Sequence, residues 1–275
     1  MTAPSDDPDP PQPPQHLDEL TRLVLAPNAS PMTLEGTNTY LLGDPSHGAV
    51  IVIDPGPDDP VHRRAVEGAI GDAAVAAVVI THHHADHSAA AGWAGEWGAG
   101  LRSFDPGLVP GADPLRDGER LQLAGITLEA LHTPGHASDH LCLRLVQSDV
   151  VLTGDHILGR GSTVVVWPDG DMGAYMDSLQ RLQQAPGRRI YPGHGPTVED
   201  PAAKVAEYVA HRRDREQQIR QAISEGATSA DVIVAAVYTD VPAHLHPAAR
   251  RSVKAVLEML VRDGSIDPAL APRQG

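Results

Sequence analysis

Apolar positions in the first part of the chain come as short dense runs, at residues 20–25, 49–53 and 73–80. Runs of this length read as strands, and 49–53, apolar throughout, reads as a strand buried on both faces. Residues 31–42 form a turn that feeds one more strand. Residues 63–70 have the spacing of a short helix, so strand, helix and strand follow in order and predict a layered αβ architecture. Residues 121–131 alternate like antiparallel strands, with a break at Gly125. Residues 141–146 and 150–152 form a hairpin-like pair around Gln147-Ser148-Asp149. Met172, Tyr175, Met176, Leu179 and Leu182 then recur at helical spacing, and Ile190-Tyr191 reads as a short strand.

Asp200-Pro201 reads as a helix start, with Asp as N-cap and Pro at the first helical position. Beyond Gly226 the pattern changes to short helices, at 229–238 and 247–263. In the second of these Val253, Val256, Leu257, Leu260 and Val261 make an apolar face that Gly264 ends. Three segments result. Residues 1–16, rich in Pro and Asp, are expected to be a disordered tail. Residues 17–216 form the main domain, and residues 217–275 a winged-helix-like helical module. The apolar face of that module is where an oligomer contact would be sought.

Of the 275 residues, 41% are hydrophobic and only 3% aromatic, so the core must be built from Val, Leu, Ile and Ala. The single cysteine, Cys142, sits between Leu141 and Leu143 and reads as a small strand residue. A formal net charge of −15 argues against a broad electrostatic grip on nucleic acid, though not against a local positive cleft that contains metal. No apolar stretch is long enough to span a membrane and no signal-peptide core is present, so the cytoplasm is the expected compartment.

The chemistry concentrates in Thr81-His82-His83-His84-Ala85-Asp86-His87, directly after the run that ends at Ile80. Its H-x-H-x-D-H pattern is filled by His82, His84, Asp86 and His87, a ligand set that suits zinc. Uncompensated imidazoles and a carboxylate beside a core cost free energy, and a bound dication supplies the compensation. Three more motifs follow, each with a candidate ligand at a strand end or in a glycine turn. They are Thr133-Pro134-Gly135-His136, Thr153-Gly154-Asp155-His156 and Tyr191-Pro192-Gly193-His194-Gly195. Ile53-Asp54-Pro55-Gly56 lies upstream.

This ordered set resembles the metallo-β-lactamase fold of binuclear hydrolases. Gly36-Thr37-Asn38-Thr39-Tyr40, the metal motifs, Leu158-Gly159 and His211-Arg212 extend the likeness, over residues 20–266, to the lactamase-beta-like protein 2 family. The resemblance implies an α+β protein, an αββα metallo-β-lactamase sandwich with a C-terminal winged-helix-like module. It also implies two zinc ions, although iron or manganese suit similar His/Asp sites. His82, His84 and His136 would hold the first metal, and Asp86, His87 and His194 the second. Asp155 would bridge them. Asp155 and Asp86 are the carboxylates expected to carry catalysis. Asp54 reads equally as an outer partner of a ligand histidine and as a plain turn residue. His83 points out of the ligand alternation and is read as a non-ligand. His156 reads equally as a proton donor facing the cleft and as a packing residue.

Two dications about 3.5–4 Å apart can share a hydroxide and clamp the substrate oxygens, which predicts metal-assisted hydrolysis. The family likeness makes single-stranded RNA the lead substrate, with Arg212, Arg213 and Arg215 in support. The alternative is an acyl thioester or ester. The Thr81-His82-His83-His84 run favours it, because that run is also similar to glyoxalase II. β-Lactam cleavage ranks low, since many zinc β-lactamases have a cysteine where this chain has Asp155. A non-catalytic metal-binding protein would need a degenerate site, and every ligand position here is filled.

Overall fold

Neighbouring residues on one strand enter different layers of this protein. Leu41, Val50, Val52 and Val78 join a cluster with Val66 and Ile70. Tyr40, Leu42, Ile51, Ile53 and Val79 join another, with Leu128, Leu141, Leu143 and Leu152. A period of two with both faces covered explains why these runs are apolar throughout.

The computed structural model describes residues 13–239 and 241–272. One sheet holds β1 (Gln15–His16), β2 (Thr21–Leu25), β3 (Asn38–Leu42), β4 (Ala49–Ile53), β5 (Ala74–Val79), β6 (Gly100–Ser103) and β7 (Asp113–Pro114), in sequence order. Pairing is antiparallel as far as β4 and parallel from β4 to β7. The helix α1 (Pro60–Ile70) connects β4 to β5, and two single turns, α2 (Ala85–Ser88) and α3 (Trp93–Glu96), connect β5 to β6. The second sheet holds β8 (Arg120–Leu123), β9 (Ile126–His132), β10 (Leu141–Leu145), β11 (Val150–Gly154) and β12 (Arg189–Pro192), in the order β12-β11-β10-β9-β8. There β11 and β12 are parallel, with α4 (Met172–Gln184) between them in the chain.

The outer face of the second sheet carries a third cluster. Cys142, Val151 and Ile190 pack there with Tyr175 and Leu179 of α4 and with Tyr208 of α5 (Pro201–Ser224). Ile233 of α6 (Ala230–Val237) and Val253, Val256 and Leu257 of α7 (His246–Arg262) belong to the same cluster. Helix, sheet, sheet and helix therefore stack in the expected αββα order. The C-terminal helices bury their apolar faces against the main domain rather than in a core of their own. Arg262 ties the end of α7 to Asp171, the N-cap of α4, at 2.6 and 2.9 Å.

Three expectations shift in detail. Residues 1–12 of the anticipated tail lie outside the described residues, while Gln15 and His16 at its end pair with β2 as a strand. The boundary drawn at 216/217 falls inside α5, which runs unbroken to Ser224. The helix read at 63–70 begins at Pro60, because Asp59 caps it by accepting from the backbone N–H groups of Val61 and His62 at 2.8 and 2.9 Å. No helix among the described residues is long and apolar enough to cross a membrane.

His62 of α1 is buried beside Trp93, with its Nε2 2.9 Å from the Thr39 hydroxyl. Burial pushes its pKa down from 6.5 to about 4. The neutral ring is the folded form, so the stability it contributes is complete above pH 6.5 and is lost as the pH falls towards 4. We predict that His62→Gln, which retains a polar atom for Thr39, loses less stability than the wild type between pH 7 and 4.5. The expected difference in urea unfolding is about 2 kcal/mol. Equal losses in the two proteins would contradict this.

Candidate metal centre

All seven candidate ligands converge at the ends of strands between the two sheets. His82 follows β5, and α2 presents Asp86 and His87 one turn later. His136 comes from the β9–β10 connection, Asp155 from the end of β11 and His194 from the end of β12. The Nε2 atoms of His82 and His136 each lie 3.0 Å from Nδ1 of His84. Nε2 of His194 lies 3.1 Å from Asp86 Oδ2 and 3.3 Å from Nε2 of His87. Asp155 lies between the two groups. Its Oδ1 is 3.3 Å from both His87 and His194, and its Oδ2 is 3.6 Å from His136.

The outer partners assign the ring protons. His136 Nδ1 faces the Val164 carbonyl at 2.7 Å, and His194 Nδ1 faces the Gly36 carbonyl at 3.1 Å. A carbonyl only accepts, so both Nδ1 atoms carry the proton. His87 Nδ1 donates to Asp54 Oδ2 at 2.9 Å. The Thr81 hydroxyl gives its one proton to Asp54 Oδ2 at 2.7 Å and so accepts from His82 Nδ1 at 3.0 Å. Four Nε2 lone pairs are thereby turned inward. They meet one another, His84 and the buried Asp155 Oδ1, which has no hydrogen-bond partner. Lone pairs that face lone pairs around a carboxylate need cations, and this donor set fits two dications. His82, His84 and His136 form one group able to hold a metal, and Asp86, His87 and His194 form another.

The electrostatics of the two groups differ. Burial, then the neighbouring rings, hold His82 well below its ordinary pKa and bring His84 down to about 4, so these rings stay neutral. Burial also opposes charge on His87 and His194. There Asp155 and its neighbouring carboxylates prevail, pushing His87 well up and His194 up to about 9. The second group therefore draws positive charge strongly: the carboxylates that favour a proton on Nε2 of His87 and His194 would equally favour a dication, which would displace that proton.

Asp54 proves to be a hub rather than a plain turn residue. It holds a left-handed backbone, φ 48°, and accepts from Thr81 N, the Thr81 hydroxyl and His87. His83 turns to Asp139 at 2.9 Å. It could join a group with His84 and the exposed Asp169, but its Nδ1 is already engaged. His156 is fully buried against Tyr175, with ring centroids 4.6 Å apart, and is a packing residue. Sequence reasoning passed over His140. This fully buried ring accepts the backbone N–H of Asp155 at 3.1 Å and meets the Thr133 hydroxyl at 3.0 Å, so it fixes the backbone of Asp155. Its one signal is its place in the His136 motif, four residues on. The Gly36–Tyr40 motif also gains a role. Asn38 donates to the carbonyls of Pro192 and Gly195 at 2.9 Å, and the Tyr40 hydroxyl donates to Pro192 at 2.7 Å, which pins the loop bearing His194. Gly193 must be glycine here, since a Cβ would lie 2.7 Å from Asp155 Oδ1 and 2.8 Å from His87.

The arginine cluster breaks up. Arg212 is buried, lies over the Tyr175 ring at 5.1 Å and donates to the Thr163 carbonyl. Arg215 lies over Tyr238 at 4.2 Å. Arg213 is exposed and Arg215 half-buried, so the three do not share one exposed face.

We predict that Thr81→Val, which removes the hydroxyl shared by Asp54 and His82, weakens metal binding by roughly 10- to 100-fold with little change in fold. Chelator competition measures this, and unchanged affinity would refute the role given to Thr81.

Comparison with known proteins agrees with this geometry. The profile described as "Metallo-beta-lactamase superfamily" matches residues 32–113 and 93–194. The profile of the beta-lactamase associated winged helix domain matches residues 229–268. A beta-lactamase-like protein 2 homologue of Caenorhabditis elegans is 35% identical over 268 residues, covering 91% of this chain and 86% of that one. An atrochrysone carboxyl ACP thioesterase of Aspergillus chevalieri is 36% identical over 231 residues, covering 80% of this chain and 73% of that one. A metallo-beta-lactamase family protein from Thermus thermophilus superposes with a TM-score of 0.77 at 25% identity, over 92% of this chain and 96% of that one. This chain belongs to the metallo-beta-lactamase superfamily, with a C-terminal winged helix domain and beta-lactamase-like protein 2 homologues among its relatives.

Proposed function

We propose that the chain is a binuclear metal-dependent hydrolase of acyl thioesters, with zinc as the first choice of metal. The observation that carries the hydrolase reading is the set of four inward Nε2 atoms around Asp155. When bound, a dication pair lowers the pKa of water and polarises a substrate carbonyl.

The chain's own groups supply geometry. Asp54, Thr81 and the Val164 and Gly36 carbonyls fix the planes of four imidazoles. His140, oriented by the Thr133 hydroxyl, holds the backbone of Asp155. Asp155 and Asp86 set the negative charge that draws cations into the second group. Cys142 is no alternative nucleophile. It is fully buried, and burial pushes its thiol up to about 12.

Two points support a thioester over RNA. The Aspergillus relative acts, by its name, as a carrier-protein thioesterase, and it aligns over most of both chains. Two of the three arginines that would favour RNA, Arg212 and Arg215, are engaged internally, and aromatics make up only 3% of the sequence, a poor supply for a base-stacking platform.

The test is release of free thiol from an acyl-N-acetylcysteamine thioester by the metal-loaded protein, with Asp155→Ala alongside. We expect wild-type turnover, and a loss of about 100-fold or more in kcat/KM for the variant, with most of its metal gone. Metal-dependent cleavage of end-labelled single-stranded RNA, with no thiol released, would overturn the thioester reading.

A further inference from the structure

His84 and His136 also line an open cleft of about 290 Å3 that reaches the C-terminal module. Across it stand Trp167 and Asp169, from the loop before α4, and Arg251 and Lys254 of α7. The two cations are three residues apart and share one helix face. Other cations of α7 are neutralised, Arg250 by Asp231 at 2.7 Å and Arg262 by Asp171 at 2.6 Å. Among the described residues, neither Arg251 nor Lys254 has a carboxylate within 4.0 Å. Lys254 Nζ sits 5.0 Å from the centroid of the Trp167 ring, which holds the ammonium at the cleft. The Asp169 carboxylate is occupied by the Ser138 N–H at 3.2 Å and the Ser138 hydroxyl at 2.6 Å. In a chain of net charge −15, these two cations bring uncompensated positive charge to the cleft that His84 and His136 line.

We infer that Arg251 and Lys254 form an anion subsite that selects acyl thioesters bearing a carboxylate a few carbons from the scissile carbonyl. This rests on the thioester reading. A planar guanidinium pairs a carboxylate through two hydrogen bonds, with the ammonium as a second charge. Reach favours the acyl side. A pantetheine arm is about as long as four extended residues, so its phosphate lies roughly 15 Å from the sulfur. Arg251 and Lys254 line the same cleft as His84 and His136, so the charge they select is placed beside the scissile carbonyl rather than at the far end of such an arm.

The experiment compares glutaryl- with hexanoyl-N-acetylcysteamine on the wild type and on the double variant Arg251→Gln, Lys254→Gln. We expect KM for the glutaryl substrate to rise about tenfold or more with kcat kept, the hexanoyl substrate to be unaffected, and Arg251→Lys with Lys254→Arg to restore part of the preference. A second arm measures glutarate binding to the metal-loaded protein by calorimetry, with weaker binding expected in the double variant. Equal effects on both thioesters, or none, would overturn the subsite while leaving thioester hydrolysis standing. If no thioester is hydrolysed, the proposed function fails, and equal glutarate affinity in the two proteins then overturns the subsite on its own. Selection that follows charge on the thiol half, seen with acyl-glutathione, overturns the acyl-side assignment. Single-stranded RNA binding that weakens in the variant while glutarate binding does not would assign the cations to nucleic acid instead.

Discussion

Four imidazoles can turn bare nitrogens towards one another only if each has committed its ring proton elsewhere. In this protein the commitments are made by Asp54, the Thr81 hydroxyl and the carbonyls of Val164 and Gly36. The arrangement is unfavourable without a cation, because it concentrates lone pairs around the buried carboxylate of Asp155. The rest of the fold can be understood as the scaffold that holds this unfavourable arrangement in place. Each ligand follows a strand end, the strands are buried on both faces, and each sheet is covered by helices on its outer side.

Asp54 shows how tightly the scaffold and the site are joined. Its backbone N–H donates to Val79 and its carbonyl accepts from the Thr39 hydroxyl, so its position is set by three strands. Its carboxylate then orders Thr81 and His87 together. The Asn38 amide does comparable work from the other side by holding the Pro192–Gly195 turn. Residues that touch no candidate metal thus decide where the ligand atoms are. The C-terminal helices take part in the same way. They share one apolar cluster with α4 and α5, and α7 brings its cations to the edge of the cleft.

Much of this was legible in the sequence. Candidate spacing is local in His82, His84, Asp86 and His87, and each remaining candidate stands in a motif with glycine before it, and it was the resemblance of this ordered set to the metallo-β-lactamase fold that implied one site of seven residues. What escaped was carried by long-range contacts. His140 has no distinctive neighbours, and its role depends on a bond to the Asp155 backbone, 15 residues away. Arg212 reads as one of a basic cluster, yet its helix turns it inward onto Tyr175. The start of α1 was missed for a different reason. Asp59-Pro60 carries the same cap signal as Asp200-Pro201, but the apolar spacing begins three residues later and drew the boundary with it.

The central claim is that this side-chain arrangement holds two metal ions with Asp155 between them. Anomalous diffraction from crystals of the protein, collected across the zinc, iron and manganese edges, tests it most directly. The account predicts two peaks of transition-metal density, one among His82, His84 and His136 and the other among Asp86, His87 and His194, each within bonding distance of Asp155. A single peak, or none in protein grown with metal in excess, would contradict it.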